Sequence, residues 1–252
     1  MSAYRHNTLL FAITFTSLLT QASTAGILGT AQNFAVLAGS TVTNTGSSVI
    51  TGDAGVWPGS AMTGFPPAIM HGTLHAADAV AGIAQADVTI AYNSLASMIR
   101  TADLTGIDLG NQVLTPGVYF FSSSAQLTST LVLDAQGNPD AIFVFQIGST
   151  LTTANSSAVS VTNAADACNI YWQVGSSATL GTNTAFQGNI LAMASITLNT
   201  GASIIEGRAL ARTGAVTLDS NSIVAGCIPS PGTCSAILLL GSGAAIRRRR
   251  VN

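Results

Sequence analysis

Three stretches in the C-terminal half of the sequence share one pattern: TLGTNTAFQG (179–188), TLNTGASIIEG (197–207) and TLDSNSIVAG (217–226). Each begins with Thr-Leu, continues with small polar residues and ends with apolar residues and glycine. The leucines of the three Thr-Leu pairs recur at intervals of eighteen and twenty residues. A repeat of this length accommodates about three short strands and their turns, which is one coil of a β-solenoid with a triangular cross-section. A two-sheet sandwich is the alternative, but it does not predict the repeat.

The remainder of the chain supports a mainly β fold with one helix. Segments rich in β-branched and aromatic residues, separated by Gly or Asn, occupy residues 26–66 and 113–224. Between them, apolar residues recur at spacings of three and four, which predicts an amphipathic helix over about residues 73–99. Its apolar stripe is mostly alanine, so the helix can lie close against a flat sheet. We therefore predict one β-solenoid domain over residues 26–226 with a long helix alongside it.

The two ends of the chain have the composition of targeting segments. Residues 1–25 combine Arg5, an apolar run and small residues before Gly26, which is typical of a signal peptide and predicts secretion. Residues 227–252 start with Pro229-Ser230-Pro231, continue with an apolar stretch and end with four arginines. The apolar stretch is short for a membrane span of about 20 residues, but the arginines would hold it at a cytoplasmic face. This tail resembles a bacterial Pro-Glu-Pro/Arg sorting signal and predicts association with the cell surface or its exopolysaccharide.

Charge is scarce throughout the sequence. Only 7% of the residues are charged, and lysine is absent. Without both ends, three arginines remain against ten acidic residues, a net charge of −7. Nucleic acid is excluded as a partner, because phosphate binding needs clustered basic residues. We expect a monomer that uses no cofactor.

The polar segments of the repeat predict a regular surface. Coils stack at about 4.8 Å, and alternate residues along a strand lie about 6.7 Å apart, so equivalent outward residues form a grid. Threonine suits such a grid because it offers a hydroxyl and a methyl on a stiff side chain. The same residue types also dominate turns, which is the competing interpretation. The grid assigned from the repeat comprises Thr182, Thr184, Thr200, Ser203, Ser220 and Ser222.

Catalytic and metal sites have little support in the sequence. His71 and His75 lie four residues apart, but Asp78 is the only additional ligand nearby. A solenoid glycosidase would need a pair of carboxylates at a defined separation, and Arg208 more simply pairs with Glu206. The aromatic residues Tyr171, Trp172, Phe143 and Phe145 lie in apolar strands and are expected in the core rather than on a sugar-binding shelf. We predict no catalytic residues and no metal ligands.

Several long segments resemble one known family. The stretches 33–59, 114–153, 168–192 and 206–221 resemble microbial ice-binding proteins with a discontinuous β-solenoid fold, and the resemblance covers about residues 27–225. It implies a right-handed solenoid with three faces, a helix packed along one of them, and ice binding through a flat face. Thr200-Gly201-Ala202-Ser203 is similar to a Thr-Ala/Gly-x-Thr/Asn motif of some bacterial members. The resemblance also nominates residues of the N-terminal coil: Ser40, Thr41 and Thr43.

The resemblance also bears on the three cysteines. Exported proteins permit disulfides, and the residues alone allow either Cys168–Cys227 or Cys227–Cys234. In a sequential solenoid, Cys168 and Cys227 lie roughly 14 Å apart, whereas a disulfide needs Cα atoms within about 7 Å. The family fold therefore implies that these two are not bridged unless the coil order is broken.

The resulting hypothesis is a secreted, non-enzymatic antifreeze protein that adsorbs to ice crystals and inhibits their growth and recrystallisation. A cell-surface adhesin or exopolysaccharide-matrix protein on the same fold is the alternative, and an extracellular polysaccharide enzyme is a third.

Overall fold

The computed structural model describes residues 26–226, so the two predicted targeting segments, 1–25 and 227–252, lie outside it. Within that range the chain forms one α-helix, α1 (Ala79–Ala96), and twenty-two short strands that pair in parallel. The strands are β1 (Phe34–Ala38), β2 (Thr41–Thr45), β3 (Val49–Thr51), β4 (Asp53–Val56), β5 (Ala61–Thr63), β6 (Ile69–His71), β7 (Leu74–Ala76), β8 (Ala102–Asp103), β9 (Val113–Leu114), β10 (Gly117–Phe121), β11 (Ala125–Leu127), β12 (Thr130–Asp134), β13 (Phe143–Ile147), β14 (Leu151–Thr153), β15 (Ala158–Thr162), β16 (Ile170–Val174), β17 (Ala178–Leu180), β18 (Ala185–Ala192), β19 (Ile196–Leu198), β20 (Ser203–Ala211), β21 (Val216–Asp219) and β22 (Ser222–Val224).

The strands stack into three faces. Each full coil contributes one strand to each face. The helix-covered face contains β1, β4, β7, β8, β10, β13, β16 and the second halves of β18 and β20. The threonine face contains β2, β5, β11, β14, β17, β19 and β21. The third face contains β3, β6, β9, β12, β15, β22 and the first halves of β18 and β20. The predicted solenoid is therefore confirmed, and the two-sheet sandwich is wrong.

The order of coils along the stack differs from their order in the sequence. Strands β1, β2 and β3 pair with β20, β21 and β22, which are the last strands of the chain. The N-terminal coils thus extend the stack beyond the C-terminal one. Because β7 and β8 lie at opposite ends of the helix-covered face, α1 carries the chain back along the stack. This arrangement is the discontinuous solenoid that the family resemblance implied.

Helix α1 is shorter than the predicted range of 73–99. Residues Leu74–Ala76 pair with β4 as strand β7, and Asp78 then starts the helix by accepting the Ala81 N–H at 2.8 Å. The alanine-rich stripe is buried as expected, against a patch that includes Leu191 and Leu210. No helix within residues 26–226 is long and apolar enough to cross a membrane.

Aromatic side chains form a continuous stack inside the solenoid. The rings of Tyr119 and Phe145 are 5.5 Å apart, those of Phe145 and Trp172 are 3.9 Å apart, and Phe186 follows at 4.9 Å from Trp172. The prediction that Phe143, Phe145, Tyr171 and Trp172 belong to the core is confirmed, because all four are buried. Each coil therefore contributes large side chains to one core that runs the length of the stack.

Cysteine chemistry adds one covalent constraint. Cys168 is disulfide-bonded. The expectation that it does not pair with Cys227 concerns a residue outside the described range.

Candidate functional site

A single row of threonines runs along the centre of the threonine face. The strand registers place equivalent outward residues side by side from one end of the face to the other. We call this row the threonine ladder; after Gln126 at one end, it comprises Thr152, Thr179, Thr197, Thr217, Thr43 and Thr63.

The ladder follows from the alternation of side chains along a strand. In β17, Thr179 points outward and half-exposed between the buried Ala178 and Leu180, and β19 repeats this with Thr197 between buried residues. The buried neighbours pack into the core and hold the backbone flat. At a strand spacing of about 4.8 Å, six threonines span roughly 24 Å. Their stiff β-branched side chains therefore present hydroxyls and methyls at regular intervals.

A second, shorter row of hydroxyls lies beside the ladder. The Leu151 N–H donates to the Ser177 carbonyl, and the Ala178 N–H donates to the Ser195 carbonyl. Thr150, Ser177 and Ser195 therefore stack on one another in successive coils. Ser124 extends the row, since its Oγ lies 2.8 Å from Thr150 Oγ1. Ala215 interrupts it at the next coil. The two rows lie about 6.7 Å apart, the separation of alternate residues in a strand, so part of the face is a two-dimensional array.

The threonine face carries almost no charge. Asp219, at the end of β21, is the one charged residue in its seven strands. Its carboxylate accepts hydrogen bonds from the hydroxyls of Thr200 and Ser220. The charge therefore lies at the margin and is already engaged by neighbouring hydroxyls.

The other two faces are less suited to contact with a flat ligand. Helix α1 covers the first. The third face exposes large apolar side chains at irregular positions, such as Ile69 (53% exposed) and Ile205 (45% exposed). Its outward residues thus lack the uniform size of the ladder.

The structure distributes the sequence-predicted residues over three places. Thr41 and Thr43 lie on β2 in the threonine face, with Ser40 exposed just before that strand. Ser203 and Ser222 are paired on the third face. The other exposed or half-exposed members lie in the turns between these two faces, namely Thr182, Thr200 and Ser220.

The structure corrects the assignment of Thr184 to the grid, because Thr184 is fully buried and cannot contact a ligand. Its Oγ1 lies 2.9 Å from Thr153 Oγ1 and 3.1 Å from the Ala154 carbonyl, so its hydroxyl is used inside the fold. The grid was assigned to the polar segments after each Thr-Leu pair, whereas those segments form the turn and the start of the next strand on the third face. The Thr-Leu pairs themselves carried the signal: their leucines point inward and their threonines, Thr179, Thr197 and Thr217, form the ladder.

The structure also corrects the predicted ion pair of Arg208, which does not pair with Glu206. Its side chain is only 2% exposed. It donates hydrogen bonds to the carbonyls of Gln32 and Gly226 and to Asn189 Oδ1. Burial lowers the pKa of Arg208 to about 10, so this arginine remains charged at neutral pH and serves the interior of the fold.

His71 and His75 both lie on strands. His71 is in β6 and His75 in β7, and His75 Nδ1 is 2.7 Å from Asp78 Oδ2. Among residues 26–226, no group of three His, Cys, Asp or Glu side chains is arranged to hold a metal ion.

Comparisons with known proteins converge on one family. The family model described as "Ice-binding-like" matches residues 36–224. A protein from Nostoc sp. (strain HG1), named "Ice-binding protein", is 57% identical over 246 residues, covering 93% of this chain and 90% of the relative. The relative of the same name from Flavobacterium frigoris is 32% identical, with 78% and 75% covered.

Solved structures show the same similarity. An ice-binding protein from an Antarctic biological consortium is 50% identical with a TM-score of 0.77, covering 84% of this chain and 96% of that one. The ice-binding protein of the Antarctic ascomycete Antarctomyces psychrotrophicus also has a TM-score of 0.77, at 42% identity, with 79% and 98% covered.

Proposed function

The chain belongs to the ice-binding-like family, and we propose that it is an antifreeze protein that adsorbs to ice through the threonine face. The observation that carries the proposal is the ladder of six outward threonines in register across six neighbouring strands. The similar chains from Nostoc sp. and the Antarctic consortium are named as ice-binding proteins, which supports extending the activity to this chain.

The chemistry of the ladder suits an ordered water surface. Each hydroxyl can donate to and accept from water, while each methyl excludes water from the groove between strands. A rigid core beneath the face keeps these groups at fixed spacing, so water can be ordered without first ordering the protein. The near absence of charge favours this, since ions bind and orient water in their own geometry.

Adsorption explains both expected activities, the inhibition of ice growth and the inhibition of recrystallisation. A single hydroxyl contact is worth about 0.5–1.5 kcal/mol net, so stable binding requires many threonines aligned at once. Protein held on the crystal forces ice to grow as curved fronts between the bound molecules. Growth then stops over a range of temperature, and the boundaries between ice grains become immobile. No bond is made or broken, so we propose binding without catalysis.

Thermal hysteresis tests this proposal most directly. The purified protein is observed on a single ice crystal in a nanolitre osmometer. We expect a faceted crystal that does not grow over a measurable temperature interval. A round crystal that grows as it does in buffer would remove ice binding as the function.

We further propose that the protein is exported as a monomer and can remain at the cell surface through residues 227–252. The disulfide at Cys168 supports export, because disulfides persist in oxidising compartments. Fractionation of cells that express the full chain tests this, with the protein expected in the medium or the cell envelope. Recovery only from the cytoplasm would contradict it. Within residues 26–226 the aromatic stack is buried in the core and offers no shelf for sugar rings, so the fold gives no support to a sugar-binding adhesin.

A further inference from the structure

The threonine ladder crosses a place where the chain is not continuous. Thr152, Thr179, Thr197 and Thr217 belong to the C-terminal coils, whereas Thr43 and Thr63 belong to the N-terminal coils. The two parts meet where β1, β2 and β3 pair with β20, β21 and β22, and we call this meeting the junction. Two of the six threonines are therefore aligned with the others by non-covalent contacts across the junction.

The junction needs a specific register. Side chains alternate between the two sides of a strand, so a slip of one residue would turn Thr43 into the core and expose Val42. A slip of two residues would restore the inside and outside pattern but replace Thr43 by Thr41 or Thr45 opposite Thr217. Apolar packing distinguishes poorly between similar coils. Directional hydrogen bonds from buried side chains can make this distinction.

Arg208 supplies such bonds at one corner of the junction. It lies in β20, on the C-terminal coil, and both its Nε and its Nη2 donate to the Gln32 carbonyl, at 2.9 and 2.6 Å. Nη2 also donates to the Gly226 carbonyl at 2.6 Å, and Nη1 donates to Asn189 Oδ1 at 2.8 Å. The guanidinium thus joins the segment before β1, the end of the last coil and the preceding coil. A fork of fixed geometry satisfied at three places tolerates little displacement of β1.

Asn221 makes a similar connection at the corner between the threonine face and the third face. Its N–H donates to the buried hydroxyl of Ser48 at 2.9 Å. Its side-chain amide donates to the carbonyls of Asn199 and Ala202, both at 2.9 Å. Two corners of the junction therefore hold buried polar contacts between the N-terminal and C-terminal parts.

We propose that Arg208 is a positioning residue for ice binding, which holds the N-terminal coil in the register that aligns Thr43 and Thr63 with the rest of the ladder. The role rests on the proposed function of the threonine face. Arg208 is only 2% exposed and lies on the opposite side of the coil from the threonine face, so it acts through the junction alone.

The test is Arg208→Met, with Arg208→Lys as the conservative variant. We expect Arg208→Met to reduce thermal hysteresis severalfold or more, and Arg208→Lys to recover part of it. Amide exchange provides the readout that distinguishes positioning from general loss of stability. The Val49 and Ser220 amides bond across the junction, and the Ala178 and Ile196 amides bond within the C-terminal coils. The first pair should exchange roughly tenfold to hundredfold faster, the fold change expected for a lost charge-assisted hydrogen bond, and the second pair should not change.

A covalent link across the junction provides the rescue. Thr51 and Val224 are direct partners in neighbouring strands of the third face, and the strand spacing of about 4.8 Å lies within the range that a disulfide bridges. Adding Thr51→Cys and Val224→Cys to Arg208→Met should restore hysteresis when oxidised. The wild type and Arg208→Met under the same reductant serve as controls, because Cys168 is also in a disulfide. If Arg208→Met alone does not fold, the oxidised variant that combines Arg208→Met with Thr51→Cys and Val224→Cys can still be tested for hysteresis.

The outcomes separate this role from the proposed function. A wild type that does not shape ice overturns both. An active wild type beside a fully active Arg208→Met overturns the positioning role alone. An equal loss of protection in both pairs of amides, or a folded oxidised variant that stays inactive, also overturns it.

Discussion

Replacement of Thr197 by tyrosine should remove most of the ice activity while leaving the fold intact. Thr197 occupies an inner position of the ladder, between Thr179 and Thr217, and its side chain is half-exposed. Tyrosine is as compatible with a strand as threonine, and surface substitutions usually change stability by less than about 0.5 kcal/mol. The change therefore acts on the surface rather than on the core.

The expected size of the effect follows from the geometry of the row. A phenol ring stands several ångström above the threonines, whereas a gap of about 1 Å already loses a quarter to a half of a dispersion contact. The ladder is divided into one run of two threonines and one of three, and a flat crystal cannot rest on both. Loss of three contacts of about 0.5–1.5 kcal/mol each weakens adsorption by roughly tenfold to a thousandfold.

The assay compares thermal hysteresis at equal protein concentration, with circular dichroism to confirm the fold and the melting temperature. Thr162→Tyr is the matched control, because Thr162 is exposed at the end of β15 on the third face. We expect the control to retain wild-type hysteresis. Full activity in Thr197→Tyr together with loss in Thr162→Tyr would refute the assignment of the threonine face and point to the third face.

Other consequences can be measured on the same material. Thr184→Val should lower the free energy of unfolding by about 1–3 kcal/mol, because the buried Thr153 hydroxyl loses a partner. Hysteresis per folded molecule should not change. Denaturant titration measures the stability and osmometry measures the hysteresis; lost hysteresis in a fully folded variant would contradict the buried assignment. The pKa of Asp78 is lowered from 3.8, first by the hydrogen bond from the Ala81 N–H and then by His75. A lowered folded pKa stabilises the fold above the unfolded pKa, and this contribution is lost as the pH falls through the folded value. Asp78→Asn keeps the helix cap, so in thermal melts it should lose less stability than the wild type as the pH falls below the unfolded pKa of Asp78. An equal loss would assign acid sensitivity to other carboxylates.

Local pattern was sufficient to predict the main elements. The eighteen- and twenty-residue intervals between the Thr-Leu pairs predicted coils with a triangular section, and the alanine stripe predicted a helix against a sheet. Tyr171 and Trp172 were placed in the core because apolar strands of this kind have buried aromatic residues. The strand Leu74–Ala76 was absorbed into the predicted helix, since its pairing with β4 is a tertiary contact that periodicity does not report.

The binding surface was harder to predict than the coil. Thr182, Thr184 and Thr200 resemble Thr179 and Thr197 in composition, and both sets recur with the repeat. Exposure varies within the first set, from the buried Thr184 to the exposed Thr200, because these residues lie at the turn between two faces, where the backbone changes direction. Turn geometry depends on the coils above and below, so composition alone does not separate a turn hydroxyl from a strand hydroxyl.

The amino-acid sequence by itself determined the repeating coil, the low charge and the helix, because these depend on residues that are near one another in the chain. Only the tertiary structure decided that Thr43 lies beside Thr217 and that Arg208 holds Gln32. Both contacts join residues from opposite ends of the chain, and their register is set by packing and hydrogen bonds across the junction. The ladder is therefore a property of the assembled stack, and no single coil contains it.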